Sequence, residues 1–123
     1  MAAMSHITLE LAREPGHPHG DRGHGYHLYL PLTADGRVDG DAWHRFEHAC
    51  RVRRFRPGEE EKHGRILRGP GGQWRFDYDD RTDRDDEHGF RLREETFQPG
   101  EYLSIREDDG KLHTFQIISI RPE

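Results

Sequence analysis

Short stretches of this chain alternate apolar and polar residues with a period of two, and this limits the fold more than any other feature. Ile7, Leu9 and Leu11 alternate with His6, Thr8 and Glu10. Leu28, Leu30 and Leu32 repeat the pattern, as do Trp74, Phe76 and Tyr78 against Arg75, Asp77 and Asp79. Successive side chains on a strand point to opposite faces, so each run reads as a strand with one face on a core and one in water. Between the runs stand turn formers: Ala34-Asp35-Gly36-Arg37, Pro57-Gly58, Gly69-Pro70-Gly71-Gly72, Pro99-Gly100 and Asp108-Asp109-Gly110.

Read along the chain, the pattern predicts six or seven short strands. They fall at His6–Leu11, Tyr26–Leu32, Cys50–Arg56, Gly64–Arg68, Gln73–Asp79, Glu101–Arg106 and Leu112–Ile120, with a further candidate over Phe90–Phe97. Pro31 lacks an N–H for a ladder and marks a strand end or sheet edge. Ile117, Ile118 and Ile120 suggest a last strand buried on both faces. Asp39 or Asp41 is placed to cap one short helix running to about Ala49, with Trp43, Phe46 and Ala49/Cys50 as its apolar stripe. Arg13–Gly25, rich in Gly and Pro, reads as a polar loop. Short connections favour antiparallel pairing. Closure removes exposed edges, so the expected architecture is mainly β: a small antiparallel, partly open β-barrel or curved sheet with one short α-helix closing an end. A two-sheet β-sandwich is the alternative.

The 123 residues allow a single domain over 1–123, with 1–4 and 13–25 expected to be flexible. Only 31% of the residues are hydrophobic and 35% are charged, so the core must be small. The formal net charge is −5, with 17 Arg against 2 Lys and 10 His. That balance argues against a surface that attracts nucleic acid all round, and no stretch is long and apolar enough for a transmembrane helix. One cysteine leaves no internal disulfide and fits a reducing, cytoplasmic setting, as does the lack of a basic n-region and cleavage motif at the start.

Four clusters carry candidate chemistry. His17, His19, His24 and His27 lie within eleven residues, with Asp21 and His113 available to complete a divalent transition-metal site. His27 falls on the polar side of its alternation and should point away from the core. No glutamate follows His17-Pro18-His19 at the spacing of a cupin motif. His44-Arg45-Phe46-Glu47-His48 spells an inverted zincin pattern, which needs one continuous helix to bring both imidazoles to one face. The acids of Asp77–Glu87 do not fall in a calcium-loop register. Arg51, Arg53, Arg65 and Arg75 lie on three successive strands, where guanidinium groups gather as an anion-binding face, with Tyr29, Phe55 and Trp74 as stacking neighbours. Cys50 reads as a buried structural thiol at the helix–strand junction. No catalytic residue is identified, and the reading leans against an enzyme.

Two resemblances accompany these readings. Phe97, Pro99, Gly100 and Tyr102 resemble the strand entry of flavin-binding barrels in ferredoxin-reductase-like enzymes. Thr114-Phe115-Gln116-Ile117 stands where that family carries its flavin contacts, so the likeness is one of hairpin grammar and implies no flavin. Through PLTADGRVDGDAW, CRVRRFRPGEEEKHG and PGEYLSIREDDG, the whole chain resembles a family of small conserved bacterial proteins of unknown function, which implies one compact domain and brings no site residues. The leading expectation is a non-enzymatic cytoplasmic module that binds a partner protein or small ligand, as a homodimer, without membrane or nucleic acid. The alternatives are a divalent-metal protein or metalloenzyme using the His-rich loop, and an anion or nucleic-acid binder using the Arg-rich strands.

Overall fold

The computed structural model describes residues 4–68, 74–78, 87–88 and 96–122. Among them the chain forms β1 (Met4–Leu11), β2 (Asp21–Pro31), α1 (Gly40–Arg45), a 3-10 turn (Glu47–Ala49), β3 (Arg51–Phe55), β4 (Lys62–Arg68), β5 (Trp74–Tyr78), β6 (Glu87–His88), β7 (Tyr102–Arg106) and β8 (Leu112–Pro122). Every strand pairs antiparallel with its chain neighbour, and β8 returns to pair with β1. The seam is thinnest at β6, which is two residues long and meets β7 through one residue pair. A curled, partly open barrel is therefore the fold, and the described strands all belong to one sheet rather than to the two of a sandwich.

The alternation seen in the sequence decides what faces inward. Ile7, Leu9, Tyr26, Leu28, Leu30, Val52, Ile66, Phe76, Ile105 and Phe115 are all fully buried, with Leu11, Trp74, Leu103 and Ile117 nearly so. α1 closes one end. Asp39 caps it by accepting from the Ala42 N–H at 3.1 Å. Trp43 packs edge-on against Trp74, with ring centroids 5.1 Å apart, and its indole N–H donates to the Ile66 carbonyl at 3.2 Å.

Several expectations are corrected. The helix does not run to Ala49: it ends at Arg45, and Phe46 (φ −120°, ψ 31°) breaks it before the 3-10 turn. Phe46 then leaves the apolar stripe, 43% exposed, with the Arg45 guanidinium 5.9 Å from its ring. The loop after β1 stops at Gly20, since Asp21–Gly25 belong to β2, and Met4 already belongs to β1. β8 is not buried on both faces. Thr8 pairs with Ser119 and Leu9 with Ile117, so Ile118 is an extra residue and lies exposed. This bulge resets the alternation and lets both Ile117 and Ile120 pack inward, three positions apart. Trp74 is core rather than a stacking neighbour of the arginines. Residues 69–73 and 79–86, and most of the Phe90–Phe97 candidate strand, lie outside the described residues; Phe97 itself is buried, its N–H donating to the Gly36 carbonyl at 2.7 Å.

Two glycines let so small a barrel close. A Cβ on Gly25 would sit 1.9 Å from the Leu9 carbonyl oxygen and 2.7 Å from the Phe55 ring that covers it across the ladder. A Cβ on Gly64 would sit 2.4 Å from the Asp77 carbonyl oxygen. Neither backbone can move without breaking a ladder, so a side chain at either position forces the strands apart. Gly25→Ala and Gly64→Ala are each expected to lower unfolding stability by about 3 kcal/mol. Gly58→Ala, at φ +74° in open space, should lose only about 1 kcal/mol. Urea midpoints of the three variants, at unchanged slope, check this ordering.

Candidate functional site

At the end opposite α1, the inward alternation continues but the residues become charged. On β7 the series Leu103, Ile105 ends in Glu107; on β3 the series Val52, Arg54 leads to Arg56; on β8, His113 precedes Phe115 and Ile117. On β2, His24 continues the series of Tyr26 and Leu28. Just beyond it the register slips: Glu10 pairs with Gly25 but Leu11 pairs with Asp21, leaving Arg22–His24 bulged out of the ladder. Asp21 braces the bulge by accepting from the Gly23 N–H at 2.8 Å.

These side chains converge on Glu107, whose side chain is only 3% exposed. The Tyr26 hydroxyl donates to Oε2 in a short hydrogen bond. His24 Nε2 lies 3.0 Å and Arg56 Nη2 3.1 Å from the same oxygen. Burial alone would push the carboxyl up. The His24 and Tyr26 hydrogen bonds and the neighbouring positive charges outweigh it, and Glu107 is held down at about 2. His113 Nε2 lies 3.7 Å from Oε1. Its Nδ1 meets Glu14 Oε1 at 3.0 Å and its Nε2 meets Asp109 Oδ2 at 2.8 Å. With a carboxylate at each nitrogen, both must donate, which is the imidazolium form. Burial pulls against this, but the Asp109 and Glu14 hydrogen bonds and the Glu107 charge raise the His113 pKa. Arg56 also reaches Asp108 at 3.2 Å, and Arg54, 2% exposed, lies 5.0 Å over the Tyr78 ring. The cluster joins the loop after β1, the bulge of β2, the end of β3 and the β7–β8 turn. With Glu107 fully ionised and covered by donors, it is a poor general base, and its chemistry is that of an ionic plug.

The candidate metal histidines do not gather. His24 points in to Glu107, whereas His27 points out, as its alternation requires, and meets His6 Nε2 at 2.8 Å through Nδ1. His17 lies 3.9 Å from Glu14 on the exposed loop. His19 lines a different groove, with Arg13, Asp21 and Arg22. Among the described residues, no group of three or more His, Cys, Asp or Glu converges on a metal-sized point. The break at Phe46 also separates His44 from His48, so the inverted zincin spacing loses the helix it needs. Cys50 is fully buried between the 3-10 turn and β3, its Sγ 3.5 Å from the Phe46 carbonyl, and burial with the nearby Glu47 charge pushes its thiol up to about 12. It is a structural, neutral thiol.

The arginines fare differently. On the outer face, Arg51 stands directly across from Arg65, and Arg53 directly across from His63. Arg75 lies one row further on, on β5, across from Leu67. Tyr29, Arg51, Arg53 and His63, with Ala49 and Val52, line a groove of about 320 Å³. Arg53 bonds to Glu61 through Nε and donates from Nη1 to the Tyr29 hydroxyl at 3.2 Å. Tyr29 stacks on His6, centroids 4.7 Å apart and planes 17° apart. Next to it, burial and then the Arg53 and His6 charges lower the His27 pKa, against Glu61. A larger groove of about 630 Å³ beside β1 and β8 mixes Arg13 and Arg22 with Glu10 and Asp21 and so carries no dominant sign. No helix among the described residues is long and apolar enough to cross a membrane.

In comparisons with protein-family models, curated proteins and solved structures, nothing matches this chain.

The ionic plug has a defined pH signature. Glu107 titrates lower in the folded chain than in the unfolded one, so its contribution is complete above about 4.5 and is lost as pH falls from there toward about 2. That contribution is on the order of 3 kcal/mol. His113 titrates higher when folded, so its smaller contribution is present below about 6.5 and fades as pH rises past that value. Stability should therefore peak between the two ranges. Glu107→Gln should lose on the order of 3 kcal/mol near neutral pH and flatten the acid limb. Urea unfolding at a series of pH values reads both effects.

Proposed function

We propose that this protein is a non-enzymatic binding module that takes a small anionic ligand, a phosphate or carboxylate, in the outer groove of β2, β3 and β4. The observation that carries the reading is the register of β3 and β4, which sets Arg51 against Arg65 and Arg53 against His63. Like charges directly opposed across a ladder are destabilising, and an anion lying between them reverses the sign of that interaction. Among the described residues, Asp77 stands across from Arg65 and Glu61 holds Arg53. Arg51, Arg53 and His63 line the groove itself, and Arg65 stands across the ladder from Arg51, on a chain whose net charge is −5. Planar guanidinium groups held on adjacent strands suit bidentate grip of a phosphate or carboxylate. The two groups with the most perturbed proton chemistry support a binding rather than a catalytic role. Glu107 is held as a carboxylate in the inner cluster, and Cys50 is held as a fully buried thiol in the chain between the groove residues Ala49 and Arg51.

Titration with pyrophosphate at low ionic strength should show saturable binding by calorimetry, with amide shifts confined to β2–β4. Arg51→Gln and Arg65→Gln should each weaken it about tenfold or more, the loss of one charge-assisted hydrogen bond. Raising salt should weaken binding to the wild-type protein more than to either variant. Absence of saturable binding, or binding indifferent to both substitutions, would overturn the reading.

A further inference from the structure

We infer that the ligand of this groove carries a planar ring beside its anionic group, and that a nucleoside monophosphate is the ligand class. The inference rests on the anion reading of the same groove and adds the role of Tyr29. Tyr29 lines the groove next to Arg51, Arg53 and His63. It is not a loose side chain. One side of the ring is backed by the near-parallel His6 imidazole at 4.7 Å, and the hydroxyl is tied to Arg53 Nη1 at 3.2 Å. His6 is itself held by His27 at 2.8 Å, and the His27 ring packs on Phe55 at 5.2 Å. Phe55 in turn is seated over Gly25 across the ladder. The rings Phe55, His27, His6 and Tyr29 thus form a continuous backing on the outer face of β1–β3, fixed before any ligand arrives.

An aromatic ring fixed in this way is a stacking platform. Base stacking on aromatic side chains is tolerant of base identity, and preorganisation spares the entropy of ordering the ring on binding. The guanidinium groups lie one strand over from Tyr29, so a ring on Tyr29 and an anion on Arg51 are served from adjacent positions of one face. A cavity of about 320 Å³ is at the small end of ligand sites and suits one nucleotide, with part of it in solvent. A simple oxyanion would use the arginines and leave the platform idle.

The test compares adenosine monophosphate, ribose phosphate and inorganic phosphate by calorimetry on the whole chain, with Tyr29→Phe and Tyr29→Leu variants. Adenosine monophosphate is expected to bind about tenfold more tightly than ribose phosphate. Relative to Tyr29→Phe, which loses the same hydroxyl contact to Arg53, Tyr29→Leu should leave ribose phosphate affinity unchanged and erase that preference. Tyr29→Phe, which keeps the ring and loses only the hydroxyl, should retain it, and this separates stacking from a packing defect. Equal affinity for adenosine monophosphate and ribose phosphate in the wild-type protein would overturn the ring inference while the anion reading stands. No binding of any of the three would overturn both. Tight, salt-sensitive binding of an oligothymidylate with none of the mononucleotide would overturn the nucleoside monophosphate in favour of an extended strand.

Discussion

An antiparallel barrel this small has an interior only wide enough for its own side chains, and every inward position on every strand must be filled by something that tolerates the others. At the α1 end the fill is aliphatic and aromatic, finished by Trp43 on Trp74. At the opposite end the inward positions fall to Glu107, His24, Arg54, Arg56 and His113. A carboxylate with only 3% of its side chain exposed survives there because Tyr26, His24 and Arg56 all address one oxygen. The barrel's closure and the ionisation of Glu107 are therefore one problem: the donors come from β2 and from the end of β3, and they meet the acceptor at the end of β7 only when the sheet has curled.

This arrangement gives the two faces of one sheet different chemistry. In the inner polar cluster His24, His113 and Arg56 are drawn to Glu107 and its neighbouring acids. The outer face of β2–β4 carries Arg51, Arg53 and Arg65, Tyr29 on it is backed by His6, and it borders a groove. Because inner and outer residues alternate along the same strands, the residues that stiffen the barrel hold the groove residues at fixed spacing. Arg54 lies inside over Tyr78 while its neighbour Arg53 lies outside on Tyr29 and Glu61.

The alternation made most of the fold legible. Ile7-x-Leu9-x-Leu11, Leu28-x-Leu30 and Trp74-x-Phe76-x-Tyr78 each announce both a strand and its buried face. The same rule, extended one step, would have found the inner cluster: Leu103-x-Ile105 leads to Glu107, and Val52-x-Arg54 leads to Arg56. Charge at those positions hid the parity, because a charged residue reads as exposed unless its partners are known. Histidine density misled in the other direction. Closeness in sequence suggested that His17, His19, His24 and His27 converge, but alternation sends His24 and His27 to opposite faces of the sheet.

The sequence by itself determined most of the strands and their buried faces and narrowed the helix cap to Asp39 or Asp41, since each depends on neighbours within a few residues. Tertiary structure alone decided three things. It chose which strands meet, and so put Arg51 beside Arg65 and Tyr29 beside His6. It chose where the alternation slips, at Ile118 and at Arg22–His24, because a bulge is visible only against the strand it pairs with. And it chose the charge state of Glu107, because a carboxylate's pKa is set by donors that lie more than eighty residues away in the chain and within about 3 Å in space.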